Sequence, residues 1–408
     1  MSLIVQKYGG SSLKTPNDIQ RVANRILKKK NEGNDLVVTV SAMGDTTDDL
    51  LDLANKISQQ PNLRDLDVLL STGELVSCSL LSIALNNLGV DAISLSGFQA
   101  GVMTDDTHGR ARITNVVSDR IEKEIHKGRV VVIAGFQGIT ENFDITTLGR
   151  QSSDITAVAM AASLRASVCE IYSDVDGIYT ADPRLVSSAV KLDNIGYDEM
   201  LELASYGAKM APRSIEMGMN HEVSIVVAST FNENKGTLIT KESELENNIG
   251  EIQNKVRGIA SDTNVAKVSV LGLQPGFTTS AELFEKLANA DISVDVIVQN
   301  IGSAGKSDIT FTVKRTDLYK SLDIVNQLKE SIGADKVLSS SNVAKVTIVG
   351  AGMQDAPGYA AKMFRAISDQ GINIETITTS EIRITCIIDE ARLKDAVQSL
   401  HSAFELEK

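Results

Sequence analysis

The chain has 408 residues, of which 42% are hydrophobic and 23% are charged, and its formal net charge is −13. This length is more than one hydrophobic core normally serves, so we expect two or more domains. The acidic balance argues against a nucleic-acid-binding protein, because such proteins neutralise phosphates with lysine and arginine. Apolar runs are too short for a membrane span and the N-terminus lacks a signal-peptide pattern, so we expect no membrane partner and a cytoplasmic location.

The cysteines and histidines do not have the spacing of a metal site. Cys78, Cys169 and Cys386 lie far apart in apolar segments, as buried core residues of a cytosolic protein do. The four histidines are equally scattered. We therefore expect no metal ion bound directly by side chains and no catalytic group based on histidine.

Strand-like and helix-like segments alternate from the N-terminus to about residue 230. Short apolar runs such as VVTV, RVVVIAG and VCEIYSD are separated by helical stretches such as ELVSCSLLSIALNNLG and DITAVAMAASLRA. This alternation predicts an α/β fold with a largely parallel sheet flanked by helices. The chain turns polar and charged near 232–250, so we place the first domain at residues 1–245.

The first of four polar strand-to-loop junctions lies at the N-terminus. Leu3–Val5 has the pattern of a short buried strand, and the turn after it contains Gly9, Gly10 and Ser11 before a helix begins. A strand, a glycine turn and a helix in this order aim backbone N–H groups at phosphate. Lys7 lies just before the turn, where its ammonium group could reach the same oxygens. A plain turn is the alternative.

Two further junctions follow the predicted strands DLVVTV and CEIYS. Ser41 and Thr47 come after the first of them, and Ser173 and Asp174 come at the end of the second. Open α/β sheets bind ligands just past the carboxyl ends of their strands. A capped helix start is the alternative at each junction, since Ser, Thr and Asp are favoured N-cap residues.

The fourth junction, AGFQGITENFDITTLGRQSSD, is the most informative stretch of the chain. Arg150 offers a rigid fork of donors that suits a carboxylate or a phosphate. Ser152, Ser153 and Asp154 follow at the start of a helix, where hydroxyl and backbone N–H groups could cradle an oxyanion. A surface turn with an exposed arginine is the alternative.

The C-terminal part of the chain contains an internal repeat. Residues 265–297 and 343–377 both begin VAKV and both run through a strand, a Pro-Gly turn, an amphipathic helix and a strand. A further strand and a helix follow each copy, which predicts two ferredoxin-like βαββαβ units. We place these domains at residues 246–340 and 341–408.

Seven motifs in order resemble those of the aspartate kinases, which belong to the amino acid kinase superfamily: KYGGSS, VSAMGDTTDDL, STGELVS, AGFQGIT, TTLGR–SD, YSDVDGIYTADPR and YGAK. The repeat is similar to the paired ACT domains of that family. The resemblance implies transfer of the γ-phosphoryl group of ATP to the side-chain carboxylate of L-aspartate, with Mg²⁺, as the first step of lysine, threonine and methionine synthesis. It also implies lysine or threonine as an effector and a homo-oligomer formed through the ACT domains.

The resemblance assigns roles to the residues of the junctions. Lys7 would stabilise charge in the transition state, and Asp154 would orient Lys7 or the hydration shell of the metal ion. Glu74 would face the ammonium group of the substrate, and Arg150 would bind its α-carboxylate. Three hydroxyl groups would complete the aspartate pocket, those of Ser41, Thr47 and Ser153.

A nucleotide site is implied by the same resemblance. Its members would be Lys7, Gly9, Gly10, Ser11, Ser173, Asp174, Tyr179, Arg184 and Lys209. Asp174 would hold polar groups of the ribose or adenine, Tyr179 would pack against the base, and Lys209 would reach the phosphates. Core packing of Tyr179 is the alternative.

Four residues of the first repeat could hold an amino-acid effector, namely Gln274, Asp291, Gln299 and Asn300. Their amide and carboxylate groups suit the ammonium and carboxylate groups of an amino acid. They could equally satisfy the backbone of turns. A dimerisation module without a ligand is a further alternative for the repeat.

The chain departs from the family pattern next to the substrate arginine. The usual motif is TTLGRGGSD, but Gln151 and Ser152 replace its two glycines here. Glycine tolerates a positive φ that these residues adopt less readily. Three outcomes are open: aspartate phosphorylation with altered kinetics, a related carboxylic amino acid as substrate, or a weakened kinase kept as an amino-acid-sensing subunit. A working kinase is favoured, because the chain retains Lys7, Glu74, Arg150 and Asp154.

Overall fold

The computed structural model describes residues 2–150, 152–207, 210–241, 256–273, 279–301, 305–353 and 357–407. The chain divides into two compact units. The N-terminal unit comprises Met1–Ile178, Lys191–Ser205 and Lys209–Gly250. The C-terminal unit comprises Tyr179–Val190, Tyr206–Ala208 and Glu251–Lys408.

The described strands of the N-terminal unit are β1 (Leu3–Tyr8), β2 (Asp35–Val40), β3 (Ala92–Leu95), β4 (Val102–Thr104), β5 (Ile113–Val116), β6 (Val130–Ala134), β7 (Gln137–Ile139), β8 (Ile145–Thr147), β9 (Val168–Ser173), β10 (Asn194–Gly196), β11 (Ile225–Ser229) and β12 (Thr237–Thr240). Its described helices are α1 (Pro16–Asn31), α2 (Thr46–Ile57), α3 (Leu63–Asn87), α4 (Asp119–Ile125), α5 (Ser153–Ser163), α6 (Tyr197–Ser205) and α7 (Pro212–Asn220).

An eight-stranded sheet in the order β10-β12-β11-β9-β1-β2-β6-β3 forms the centre of the N-terminal unit. Its strands pair in parallel, except that β11 and β12 are antiparallel. The predicted, largely parallel α/β sheet is therefore confirmed. A smaller sheet in the order β5-β4-β7-β8 completes the unit.

Helices pack on both faces of the large sheet because its central strands are apolar on both sides. Ile4 and Tyr8 of β1 belong to one core with residues of α1 and α3. Since side chains alternate along a strand, Val5 and Lys7 face the opposite side, where α5 packs against β1, β2 and β9. The alternation thus directs Lys7 towards the helix that begins at Ser153.

The helix α3 is long and apolar enough to cross a membrane by length and composition alone, which the sequence analysis did not anticipate. Half of its most apolar window is buried within the structure. Its buried residues include the polar side chains of Asp67, Glu74 and Ser77. Among the described residues, α3 is the one helix that meets these criteria, and a buried core helix meets them equally well.

The described elements of the C-terminal unit are β13 (Gly258–Asp262), β14 (Ala266–Leu273), α8 (Thr279–Asn289), β15 (Val294–Ile301), β16 (Ser307–Val313), α9 (Leu318–Leu328), β17 (Lys336–Ser340), β18 (Val343–Val349), α10 (Tyr359–Asp369), β19 (Ile374–Thr379), β20 (Arg383–Asp389) and α11 (Leu393–Ala403). They form two four-stranded sheets, in the orders β15-β16-β14-β17 and β13-β18-β20-β19. Each sheet has its own apolar core.

The two repeats complete their sheets in different ways. The first repeat runs βαββαβ from β14 to β17 and supplies all four strands of its own sheet. The second repeat ends in α11 after three strands, and β13 takes the fourth position by pairing antiparallel with β18. The strand that precedes the first repeat therefore completes the second, and the first repeat is an insertion in the second ferredoxin-like unit.

The predicted domain boundaries fall between the described elements. The boundary at 245/246 lies in residues 242–255, outside the described residues. The boundary at 340/341 separates β17 from β18. Two short segments from the first predicted domain, Tyr179–Val190 and Tyr206–Ala208, belong to the C-terminal unit.

The contribution of β13 to the second repeat can be tested with Ile259→Ala. Ile259 is 4% exposed and lies in the core that α10 and α11 cover. We expect the substitution to lower the free energy of unfolding of the C-terminal unit by about 2 to 5 kcal/mol, measured by urea unfolding. Tyr319→Ala, at an 80% exposed position of α9, is the control and should change it by less than about 0.5 kcal/mol. An equal loss in both variants would contradict the pairing.

Candidate active site

The four polar junctions of the sequence lie side by side. The strands β9, β1, β2 and β6 are consecutive neighbours in the large sheet and all four are parallel. Their carboxyl ends therefore meet at one edge, where open α/β sheets bind ligands. The loops after these strands begin at Asp174, Gly9, Ser41 and Gly135.

An ion pair connects two of the junctions. Lys7 Nζ of β1 lies 2.6 Å from Asp154 Oδ1, in the first turn of α5. Both residues are buried, with 9% and 7% of their surface exposed. The carboxylate also lies where the N-terminal end of a helix favours negative charge. The arrangement fixes an ammonium group at the edge of the sheet, beside the glycine turn.

The glycine turn closely approaches the loop after β2. Gly9 follows β1 directly, and a Cβ atom on it would lie 3.4 Å from Lys7 Nζ. A Cβ atom on Gly10 would lie 2.9 Å from the carbonyl oxygen of Ala42, so only glycine fits there without a shift. Ser11 is exposed in the short 3₁₀ helix that follows. The turn thus presents backbone and a hydroxyl group next to the lysine.

Glu74 is buried in α3 and binds the loop after β2. Its Oε1 accepts a hydrogen bond from the backbone N–H of Ala42 at 3.0 Å. No hydrogen-bond partner for its buried Oε2 lies among the described residues. Burial raises the pKa of Glu74 from 4.5 to about 7. A cationic group reaching Oε2 would compensate this buried carboxylate.

Ser41 is held by the same helix. Its carbonyl oxygen accepts a hydrogen bond from the Ser77 hydroxyl at 2.7 Å. Ser77 lies three residues after Glu74 and therefore on the same face of α3. Sequence reasoning missed Ser77, although its spacing from Glu74 was a usable signal.

Arg150 lies in the loop between β8 and α5. Its guanidinium group forms an ion pair with Asp48, in the first turn of α2, and 75% of its side chain is exposed. Thr47 is half-buried one residue earlier in the same helix. Ser153 is the buried first residue of α5 and precedes Asp154. The structure thus brings Arg150 to the helix that carries Thr47.

Ser152 fits its position without backbone strain. Its φ is −90°, an ordinary value for an L residue, and its hydroxyl donates to the carbonyl oxygen of Leu148 at 2.9 Å. The replacement of this glycine therefore adds a hydrogen bond inside the loop. Gln151 lies outside the described residues.

Two further side chains hold this edge of the sheet and were missed by sequence reasoning. Thr156 of α5 accepts a hydrogen bond from the N–H of Phe136 at 3.1 Å, and Phe136 has a positive φ of 67°. Arg213 of α7 donates to the carbonyl oxygen of Leu148 at 2.8 Å. A positive φ at a phenylalanine is a strain that its surroundings must impose. No local sequence pattern predicts the contact of Thr156 or that of Arg213.

The predicted nucleotide residues are divided between the two units. Ser173 ends β9 in the N-terminal unit, and the exposed Asp174 follows it. Tyr179 and Arg184 belong to the C-terminal unit, where the Arg184 guanidinium group pairs with Asp182. Lys209 lies outside the described residues.

The predicted effector residues lie in the first repeat. Gln299 and Asn300 are exposed on β15, and Gln299 Oε1 accepts a hydrogen bond from Ser280. Asp291 is exposed, with a positive φ of 59° in the turn before that strand. Gln274 lies outside the described residues.

A metal ion at this edge of the sheet would have to be bound mainly by water molecules and phosphate oxygens. Among the described residues, no three His, Cys, Asp or Glu side chains are grouped to hold a metal ion. The buried Asp154 Oδ1 pairs with Lys7 and has no further hydrogen-bond partner in the described part of the chain. A Mg²⁺ ion that keeps most of its waters and binds phosphate oxygens fits such a site, because it needs one or two carboxylates at most.

Comparison with known proteins identifies the family. The family model of the amino acid kinase family matches residues 2–229, and that of an ACT domain matches residues 346–404. Aspartokinase 2 of Bacillus subtilis (strain 168) is 46% identical over 409 residues, covering 100% of this chain and 99% of that protein.

Solved structures agree with this assignment. The crystal structure of aspartate kinase from Synechocystis is 42% identical, with a TM-score of 0.56, and the match covers 99% of this chain and 70% of that chain. Escherichia coli aspartokinase III in complex with aspartate and ADP has a TM-score of 0.81 at 24% identity, over 98% of this chain and 99% of that chain. At that identity the likeness concerns the fold.

Burial of the Glu74 carboxylate predicts a gain in stability for Glu74→Gln. A pKa raised from 4.5 to about 7 means that the folded protein resists ionisation, so the penalty grows as the pH rises from 4.5 and is complete above 7. At pH 8 we expect the variant to increase the free energy of unfolding by about 3 kcal/mol. At pH 5 the gain should fall below about 1 kcal/mol.

Urea unfolding at the two pH values measures this gain. Glu141→Gln, at an exposed position, is the matched control and should give no pH-dependent difference. A Glu74→Gln variant that is less stable than the parent at pH 8 would contradict the uncompensated burial of the carboxylate.

Proposed function

This chain belongs to the amino acid kinase family, as an aspartokinase with ACT domains, and we propose how its residues carry out the reaction. The enzyme phosphorylates the side-chain carboxylate of L-aspartate with ATP and is regulated through its ACT domains. The observation that carries the proposal is the buried Lys7–Asp154 ion pair at the carboxyl edge of the parallel sheet.

Lys7 stabilises the charge of the transferring phosphoryl group. The attacking carboxylate of aspartate is ionised near neutral pH, so the reaction needs no strong general base. It needs two anions to be held together and their charge to be neutralised. An ammonium group fixed by a buried carboxylate is already oriented for this task when the substrates bind. In this role, Asp154 is a positioning residue for Lys7.

Charged side chains bind the ammonium group and the α-carboxylate of aspartate. Glu74 Oε2 accepts the ammonium group of the substrate, which compensates the buried carboxylate. Arg150 binds the α-carboxylate and gives up its exposed ion pair with Asp48, which costs little because surface ion pairs are weak. The hydroxyl groups of Ser41, Thr47 and Ser153 complete the pocket.

ATP binds along the glycine turn. The backbone N–H group of Gly10 and the hydroxyl of Ser11 contact phosphate oxygens. Gly9 contributes the shape of the turn and no free donor, because its N–H donates to the carbonyl oxygen of Tyr172 at 3.2 Å. Ser173 and Asp174 lie at the end of the neighbouring strand β9. Tyr179, Arg184 and Lys209 contribute the remaining nucleotide contacts. Mg²⁺ would supply positive charge that neutralises the phosphates, and Asp154 would be the residue that orients its hydration shell.

The ACT domains supply regulation and assembly. An amino-acid end product, lysine or threonine, binds near Gln274, Asp291, Gln299 and Asn300 in the first repeat. The strand β15 lies at the edge of its sheet, and Ile297 and Ile301 on it are exposed. Such an edge suits pairing with a second copy of the chain, so we also propose a homo-oligomer formed through the ACT domains. The enzyme acts in the cytoplasm, where ATP is supplied and its three free cysteines stay reduced.

The proposed role of Lys7 is tested by trapping the acyl phosphate with hydroxylamine in the presence of MgATP and L-aspartate. Lys7→Met should lower kcat by at least about a hundredfold, because it removes the charge that stabilises the transition state. Lys123→Met, on an exposed position of α4, is the control and should retain full activity.

A double variant separates catalysis from folding. Lys7→Met alone leaves Asp154 buried without its cation and should lower stability by about 3 to 5 kcal/mol. Lys7→Met together with Asp154→Asn removes both charges and should recover most of that stability while remaining inactive. Activity that returns with the stability of the double variant would refute a catalytic role for Lys7.

A further inference from the structure

Part of the predicted nucleotide site is built on the regulatory unit. The segment Tyr179–Val190, which contains Tyr179 and Arg184, belongs to the C-terminal unit. It is joined directly to Ile178 and Lys191 of the N-terminal unit. Whatever fixes this segment in the C-terminal unit therefore also fixes the backbone from which Tyr179 and Arg184 extend.

Thr180 is the polar anchor of the segment. Thr180 is 5% exposed. Its backbone N–H donates to the carbonyl oxygen of Val190, so a hydrogen bond joins the two ends of the segment. Its carbonyl oxygen accepts from the N–H of Ile259 in β13 at 2.7 Å. Its hydroxyl oxygen accepts from the N–H of Val190 at 3.0 Å and lies 2.9 Å from Nε2 of His401, in α11.

Apolar contacts hold the rest of the segment on the second ACT domain. Ala181 and Val186 are buried in the same core as Val397 and Leu400 of α11. Gln398, on the same helix, donates to the carbonyl oxygen of Leu185 at 2.8 Å. The segment is thus seated on α11 by both its side chains and its backbone.

His401 is suited to accept a hydrogen bond from the hydroxyl group of Thr180. The side chain is fully buried, and burial lowers the pKa of His401, so the imidazole is neutral near pH 7. Because the hydroxyl already accepts from the backbone of Val190, its own hydrogen is available to point at Nε2. With this direction of the hydrogen bond, the ring proton lies on Nδ1, which is 3.5 Å from a carboxylate oxygen of Glu407 and has no hydrogen-bond partner among the described residues.

A second short segment of the kinase part is held by the same unit. Two cations lie over the ring of Tyr206: the Arg383 guanidinium group is 4.8 Å and Lys345 Nζ is 5.4 Å from the ring centroid. Gly207 has a φ of +124°, and a Cβ atom there would lie 2.1 Å from the carbonyl oxygen of Ser261. The YGAK motif therefore also begins on the regulatory unit.

We propose that His401, in the last helix of the second ACT domain, is a positioning residue for ATP binding, acting through Thr180 on Tyr179 and Arg184. The inference rests on the proposed nucleotide roles of Tyr179 and Arg184. The hydrogen bond between Thr180 and His401 fixes the start of the segment one residue after Tyr179. Without His401, the buried hydroxyl of Thr180 has no acceptor, which costs free energy. The segment is expected to move so that the hydroxyl finds another partner.

Steady-state kinetics of the full-length enzyme with ATP and aspartate varied separately tests the proposal. We expect His401→Leu and Thr180→Val each to raise the KM for ATP about tenfold, while the KM for aspartate changes less than about twofold. The double variant should resemble Thr180→Val, since that variant already lacks the hydrogen bond to His401 and also the one from Val190. His401→Gln keeps a side-chain acceptor and should retain a KM for ATP near that of the parent.

Three results would overturn the proposal. They are an unchanged KM for ATP in both single variants, equal rises in both KM values, and a double variant whose effect is the product of the single effects. If one single variant fails to fold, an unchanged KM for ATP in the other is enough to overturn the proposal.

Arg184→Ala and Tyr179→Ala separate this inference from the proposed nucleotide site. If both leave the KM for ATP unchanged, the nucleotide roles fail and the role of His401 fails with them. If they raise it while His401→Leu and Thr180→Val do not, the nucleotide roles stand and only the role of His401 is refuted.

Discussion

Lys7 and Asp154 form a buried ion pair where β1 meets α5, and the candidate site is arranged around it. Burying two charges is favourable only when each compensates the other, so neither residue can be changed alone without a large cost. The pair therefore locks the first strand of the sheet to the start of α5. The same contact leaves an ammonium group fixed beside the glycine turn, where the proposed mechanism brings two anionic substrates together. One interaction thus meets a structural requirement and the catalytic requirement that we propose for Lys7.

Glu74 illustrates the opposite balance. Its carboxylate is buried with a hydrogen bond to one oxygen from Ala42, and its pKa is raised to about 7. The protein thus accepts a loss of stability at the position that we propose to receive the substrate ammonium group. This is expected of a binding site, since a charge that is fully satisfied by the protein has little to gain from a ligand. The fold tolerates the loss because one face of α3, which carries Glu74, packs into the core through Cys78, Leu81 and Leu85.

Much of this arrangement could be predicted from the sequence because the carboxyl ends of parallel strands share one edge of the sheet. The four junctions, including those at Lys7 and Arg150, were identified from apolar runs followed by polar residues. The conformation of Ser152 could not be predicted, since its hydrogen bond to Leu148 depends on how the loop closes. Nor could the pairing of β13 with β18, because the two strands are separated in the sequence by the whole first repeat. The attachment of the segment around Thr180 to α11 could not be predicted either, because the two are far apart in the sequence.

The central claim is that the enzyme works by positioning charges and needs no side chain to accept a proton in the chemical step. The pH dependence of kcat and of kcat/KM for aspartate between pH 6 and about 9 tests it most directly. The account predicts a flat kcat, because bound aspartate keeps Glu74 ionised, and a kcat/KM that falls below about pH 7 as free Glu74 is protonated. A bell-shaped kcat with an apparent pKa inside this range would contradict it, since the chemical step would then depend on proton transfer by a side chain.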